Sequence, residues 1–93
     1  MRVAVLVEPG AFPPPFDQMP ALLQSFADWR SRWREKMEVF AFYAGRPGGL
    51  GIFNVDDERE LSQIMFEFPF TTYSTIEARP IVDGDDALRR LTE

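Results

Sequence analysis

The stretch from Gly49 to Ile81 constrains this chain most. A β-branched and aromatic run (Gly49 to Val55) leads into a helical segment opened by acidic residues (Asp57 to Phe68). A Pro-Phe break follows, then a second extended run (Tyr73 to Ile81). A β-α-β succession this tight is half of a split sheet-and-helix unit, in which the helix crosses over one face of the sheet. The first half of the chain repeats the order.

Met1 to Glu8 (MRVAVLVE) alternates Val3, Val5 and Val7 on one side with Ala4 and Leu6 on the other. Apolar residues on both faces mark a central strand. Pro9 and Gly10 end it, and Ala11 to Phe16 (AFPPPF) reads as a stiff, polyproline-like connection. The first helix should start near Asp17 or Met19, with Pro20 tolerated in its first turn. Its apolar stripe is Met19, Leu22, Leu23, Phe26, Trp29, Trp33 and Met37. On such a stripe the two tryptophans pack against a sheet. A second strand runs from Glu38 to Arg46, with Val39, Ala41 and Tyr43 on one face and Phe40, Phe42 and Ala44 on the other.

Arg46-Pro47-Gly48-Gly49 turns that strand into Leu50 to Val55. The turn joins two strands and lacks a Lys-Ser/Thr end, so it is not a phosphate-binding loop. In the following helix Leu61, Ile64, Met65 and Phe68 form the buried stripe, and Pro69 stops it. The last strand sets Ile76 and Ala78 against Thr75, Glu77 and Arg79, and Asp83-Gly84-Asp85 opens a short helix with Ala87, Leu88 and Leu91. The order β-α-β-β-α-β with a tail helix predicts an α+β, ferredoxin-like fold over residues 1–93 as one domain.

Composition removes several functions. The chain has no cysteine and no histidine, so thiolate metal sites, imidazole acid–base chemistry and histidine-ligated haem are out of reach. No metal and no cofactor is expected. A net charge of −5 argues against nucleic acid. Arg30, Arg32, Arg34 and Lys36 spread around a helix instead of forming one stripe. No run approaches the ~20 apolar residues of a membrane span, and Val3 to Val7 is too short for a signal-peptide core. A cytoplasmic protein with no membrane partner is the expectation.

Two right-handed crossovers put both helices on one side of the sheet, leaving the other side, apolar on at least three strands, uncovered. A second copy packed face to face would cover it, so a homodimer is expected. Glu77 and Arg79 point the same way from the last strand. One reading makes them an edge pair or a salt bridge across that dimer. The other makes them the polar corner of an aromatic pocket lined by Phe42, Tyr43 and Tyr73. There Glu77 would act as a base and Arg79 would hold a substrate carboxylate.

The residues Gly45-Arg46, Gly51-Ile52-Phe53-Asn54-Val55, Glu60-Leu61, Phe68-Pro69-Phe70-Thr71-Thr72-Tyr73 and Ile76-Glu77-Ala78-Arg79-Pro80-Ile81 form a further pattern. Over roughly residues 36 to 82 it resembles muconolactone δ-isomerase and its relatives. The resemblance implies a dimeric α+β barrel, assembled into larger rings in the isomerase itself. It also implies a cofactor-free enzyme that acts on a small lactone or aromatic acid by proton transfer. Lys36 and Arg46 fall on matching positions and Glu77 on the matching strand, so Glu77 with Lys36 or Arg79 would supply the base and the enolate stabiliser. Val39 and Phe42 stand where the family has a histidine and an arginine, and a helix replaces its histidine-containing tail. Those departures keep open a non-catalytic, ligand-binding or scaffold dimer of the same fold.

Overall fold

The structure is a computed structural model and describes residues 1–93. Four strands, β1 (Arg2–Pro9), β2 (Met37–Phe42), β3 (Gly49–Asn54) and β4 (Ser74–Ile81), form one antiparallel sheet in the order β2-β3-β1-β4. Helices α1 (Met19–Arg32) and α2 (Glu58–Glu67) make the two crossovers, and α3 (Gly84–Thr92) follows β4. This is the ferredoxin-like βαββαβ arrangement with a C-terminal helix. No helix is long and apolar enough to cross a membrane.

Strand register sorts the side chains. Val3 lies opposite Phe53 and Pro80, Val5 opposite Gly51 and Ala78, Val7 opposite Gly49 and Ile76; these point toward α1 and α2. The core is the buried set Val3, Val5, Trp29, Phe53, Val55, Ile64 and Phe68. The alternate positions Ala4, Leu6, Leu50, Ile52, Glu77, Arg79 and Ile81 share the other face with Val39 and Ala41, and no element of the chain lies across it.

Trp29 ties the two crossover helices together. Its indole N–H donates to the Ile64 carbonyl at 2.9 Å in the buried interior. That carbonyl lies in the last turn of α2, where the Phe68 N–H has turned to Met65 instead. Thr71 closes the same helix end, its hydroxyl donating to the Met65 and Phe68 carbonyls. The C-terminal end of α2 is thus satisfied by side chains, as helix ends require.

Two boundaries differ from the sequence reading. Helix α1 stops at Arg32, a 3₁₀ turn spans Arg34–Lys36, and Met37 begins β2 instead of ending the helical stripe. Strand β2 ends at Phe42 rather than Arg46, because Tyr43 to Gly48 form the hairpin turn, closed by the Tyr43 N–H on the Gly48 carbonyl at 3.0 Å.

The molecule is drawn out, 57 × 27 × 18 Å, with a radius of gyration of 15.1 Å. A compact chain of this length would have about 12 Å.

Candidate functional site

A cavity of about 470 Å³ opens between the helix-facing side of the sheet and α1, at the end where β1 stops and β4 begins. Two glycines line its floor. Along β3, Gly49 and Gly51 face the helices with no side chain, while their neighbours on β1 and β2 carry Val5, Val7, Phe40 and Phe42. A Cβ at Gly51 would sit 2.9 Å from the buried Phe53 ring and 3.5 Å from Met37. Gly48, at φ +107°, brings the hairpin backbone against Val7, an approach a side chain would block. At the rim, the Gly10 N–H donates to the Tyr73 carbonyl at 2.8 Å and ties the proline-rich connection to the start of β4.

The wall is aromatic. Phe26 on α1 is its hub, with ring centroids 5.5 to 6.1 Å from Trp29, Phe40, Phe42, Phe68 and Phe70. Most of these pairs are edge-to-face, the arrangement that ring quadrupoles favour. Phe12 and Phe42 sit at the mouth, 80% and 71% exposed. No lysine, arginine or aspartate lines the cavity. The lining residues with hydroxyl or carboxylate side chains are Tyr73, whose backbone carbonyl stands at the rim, Ser74 and Glu8. Alternation along β1 turns Glu8 to the opposite side, where Arg46 donates to its carboxylate at 3.0 Å.

The residues singled out from the sequence scatter over three places. Phe42 and Tyr73 line the cavity. Tyr43 and Arg46 belong to the hairpin outside it, the Arg46 guanidinium lying 4.6 Å from the Tyr43 ring centroid. Lys36 stands at the far end of the sheet, bound to Glu60 at 3.0 Å and Asp56 at 3.4 Å. Lys36 is held above the ordinary lysine range, mainly by the hydrogen bond to Glu60.

Glu77 and Arg79 pair with each other at 3.1 Å on the uncovered face, both exposed. The expected convergence of Glu77 and Arg79 with Phe42 and Tyr73 is therefore absent. Ile76 and Ala78 take the helix-facing positions of β4, and alternation sends their neighbours to the other side. Ser74, Phe26 and the two cavity glycines were not singled out from the sequence. The signal for them was the Gly-x-Gly spacing at 49 and 51, which leaves one face of a central strand bare.

No family model and no curated protein matches this sequence. Solved structures do. One is 5-chloro-2-hydroxyhydroquinone dehydrochlorinase from Burkholderia phenoliruptrix AC1100, in complex with 2,5-dihydroxybenzoquinone. The likeness covers 92% of this chain and 98% of that one, with a TM-score of 0.71 and 13% sequence identity. The two chains share the fold.

Proposed function

We propose that this chain is a small-molecule enzyme that takes an uncharged, hydroxylated aromatic or quinonoid ring into the cavity and moves a proton on it. One observation carries the reading: an aromatic-walled space of about 470 Å³ whose lining includes Tyr73 and Ser74 and no lysine, arginine or aspartate. Burying roughly 150 Å² of ring is worth about 4 kcal/mol. Stripping water from an unpaired carboxylate costs at least several kcal/mol, so a ring acid would gain nothing by entering. Ring hydroxyls or carbonyls instead meet Tyr73 and Ser74, each able to donate and accept. Tyr73 would accept the proton of a ring hydroxyl while handing its own to water at the mouth, and a ring carbon would take a proton from water, so that the enol O–H breaks as the keto form's C–H is made; the reverse steps restore the enol. The fold neighbour, a 5-chloro-2-hydroxyhydroquinone dehydrochlorinase in complex with 2,5-dihydroxybenzoquinone, supports this substrate class.

A second copy belongs to the same reading. The chain exposes 6801 Å², where a folded 10.7 kDa monomer exposes about 5500 Å². The excess, roughly 1300 Å², exceeds the ~800 Å² each partner gives to a standard interface. The uncovered sheet face and α3 both belong to that surface, and Glu77–Arg79 and Arg2–Glu38, two pairs of opposite sign, suit a twofold mate. In this reading Glu77 and Arg79 serve the dimer.

Trp29 borders the cavity, so intrinsic fluorescence reports binding. Titration with hydroxyhydroquinone should give saturable quenching, and 4-hydroxybenzoate should bind at least ~10-fold more weakly. In D₂O the bound ring should exchange its carbon-bound protons faster with wild type than with Tyr73→Phe. Equal or tighter binding of the benzoate would overturn the substrate class. Binding without protein-dependent exchange would leave a ligand-binding protein, a reading that the lack of an interior carboxylate favours.

A further inference from the structure

Helix α3 makes no packed layer with the rest of the chain. Leu88 and Leu91 are 58% and 83% exposed, and Val82, at the root of the helix, is exposed as well. Nine residues are too few to hold a helix in water by propensity alone, since isolated helices below about 12–15 residues are marginal. Its own capping is good: the Asp83 carboxylate accepts from the Asp86 N–H at 3.1 Å, and Arg89 pairs with Asp86. Caps of this kind supply ~1 kcal/mol, short of what an unpacked helix needs. Burial of Leu88 and Leu91 against an apolar surface would supply the rest.

The position of α3 indicates which surface. A groove of about 310 Å³ separates it from the sheet, with Ala87 and Arg90 on the helix side and Arg2 and Ile81 on the sheet side. Arg2 and Ile81 are opposite each other in register, on the uncovered face. Helix α3 therefore stands beside that face, with Asp86, Ala87 and Arg90 on the groove, while Ala4, Leu6 and Ile52 share the face with Arg2 and Ile81 farther along the strands.

We propose that α3 is a clasp: its Ala87–Leu88–Leu91 stripe packs on the second copy seated on the uncovered sheet face, and the twofold returns the same contact. The occupant is another copy of this chain because the roughly 1300 Å² of excess surface meets what a stable dimer buries per partner, and because the charges on that face are already paired by sign. This inference rests on the sheet-to-sheet dimer and adds the element that fastens it.

Sedimentation equilibrium of the full chain tests it, with wild type, the double variant Leu88→Glu/Leu91→Glu, and Phe66→Glu as an exposed apolar control on α2. Wild type should dimerise at micromolar concentration. The α3 variant should weaken dimerisation at least ~10-fold, and the control should not change it. The cysteine-free sequence permits a second reading that tolerates the native leucine at 88: Leu91→Cys carrying an environment-sensitive dye should shift to the blue as dimer forms. A wild-type monomer at 100 µM would overturn both the clasp and the sheet-to-sheet dimer. A dimer indifferent to the α3 substitutions, with no dye shift, would overturn the clasp alone.

Discussion

At the scale of single residues, the cavity is lined by two glycines at which a β-carbon would not fit. Gly51→Val should abolish quenching of Trp29 by the aromatic ligand and destabilise the chain by about 1–3 kcal/mol, the usual cost of overpacking. The added Cβ meets the buried Phe53 ring at 2.9 Å. Gly84→Ala is the control: nothing lies within 4 Å of its Cβ, and in the first turn of α3 alanine should stabilise by up to ~1 kcal/mol. Chemical denaturation of both variants, with the titration repeated on each, checks the pair. The same residues show what was legible in the sequence. Alternation placed Glu77 and Arg79 opposite Ile76 and Ala78 correctly. It could not say which side of the sheet would be hollow, because both sides carry apolar residues. The bare positions at 49 and 51 held that information, and glycines beside a Pro-Gly turn read equally well as turn residues.

At the scale of elements, α2 is the best-specified piece. Asp57 accepts from the Glu60 N–H at 2.9 Å and Glu60 accepts from the Asp56 N–H at 2.9 Å, while Lys36 closes on Glu60 from the 3₁₀ turn before β2. Asp57→Ala should cost about 1 kcal/mol in denaturant unfolding. The Glu60 carboxyl is held below its ordinary value, first by the Asp56 N–H and then by Lys36. A depressed carboxyl favours the folded state above the ordinary value of 4.5, and that contribution fades as pH falls through the lowered one. Lys36 is the other side of the same pair: raised, it contributes below 10.5 and loses that contribution as pH rises through its folded value.

Melting temperature should therefore fall on both flanks, and Glu60→Gln should flatten the two together. High salt should remove more of the alkaline limb than of the acid one, since the backbone hydrogen bond is not screened as an exposed ion pair is. An unchanged acid limb in Glu60→Gln would show that other carboxylates set it. The start of α2 was readable because its cap is a local motif. The end of α1 was not. Met37 follows Trp33 by four residues and extends the helical stripe, with no glycine or proline to stop it. In the structure its side chain reaches the cavity from β2, so helix and strand would both send an apolar residue inward, and hydrophobic pattern alone does not separate them.

For the whole molecule, stability and association are one question. Only eight of 93 residues are buried in the isolated chain, a thin core for a size class that is marginal even when compact. If a second copy covers the open face, dimerisation supplies part of the stability, and the melting temperature must rise with protein concentration. Two neighbouring residues of β3 separate this contribution from the core. Ile52 lies on the open face and is half-buried, whereas Phe53 is buried under α1. In a monomer, glutamate at 52 keeps its carboxylate in water and costs little. In a dimer it puts an unpaired charge into an apolar interface, which is prohibitive. Phe53→Ala removes a core ring and should cost about 3–5 kcal/mol whatever the oligomeric state. Calorimetric melts across a hundred-fold range of concentration should show wild type rising, Ile52→Glu flat at the dilute wild-type limit, and Phe53→Ala far lower throughout. An Ile52→Glu protein that still gains stability with concentration would mean that the open face is not where two copies meet.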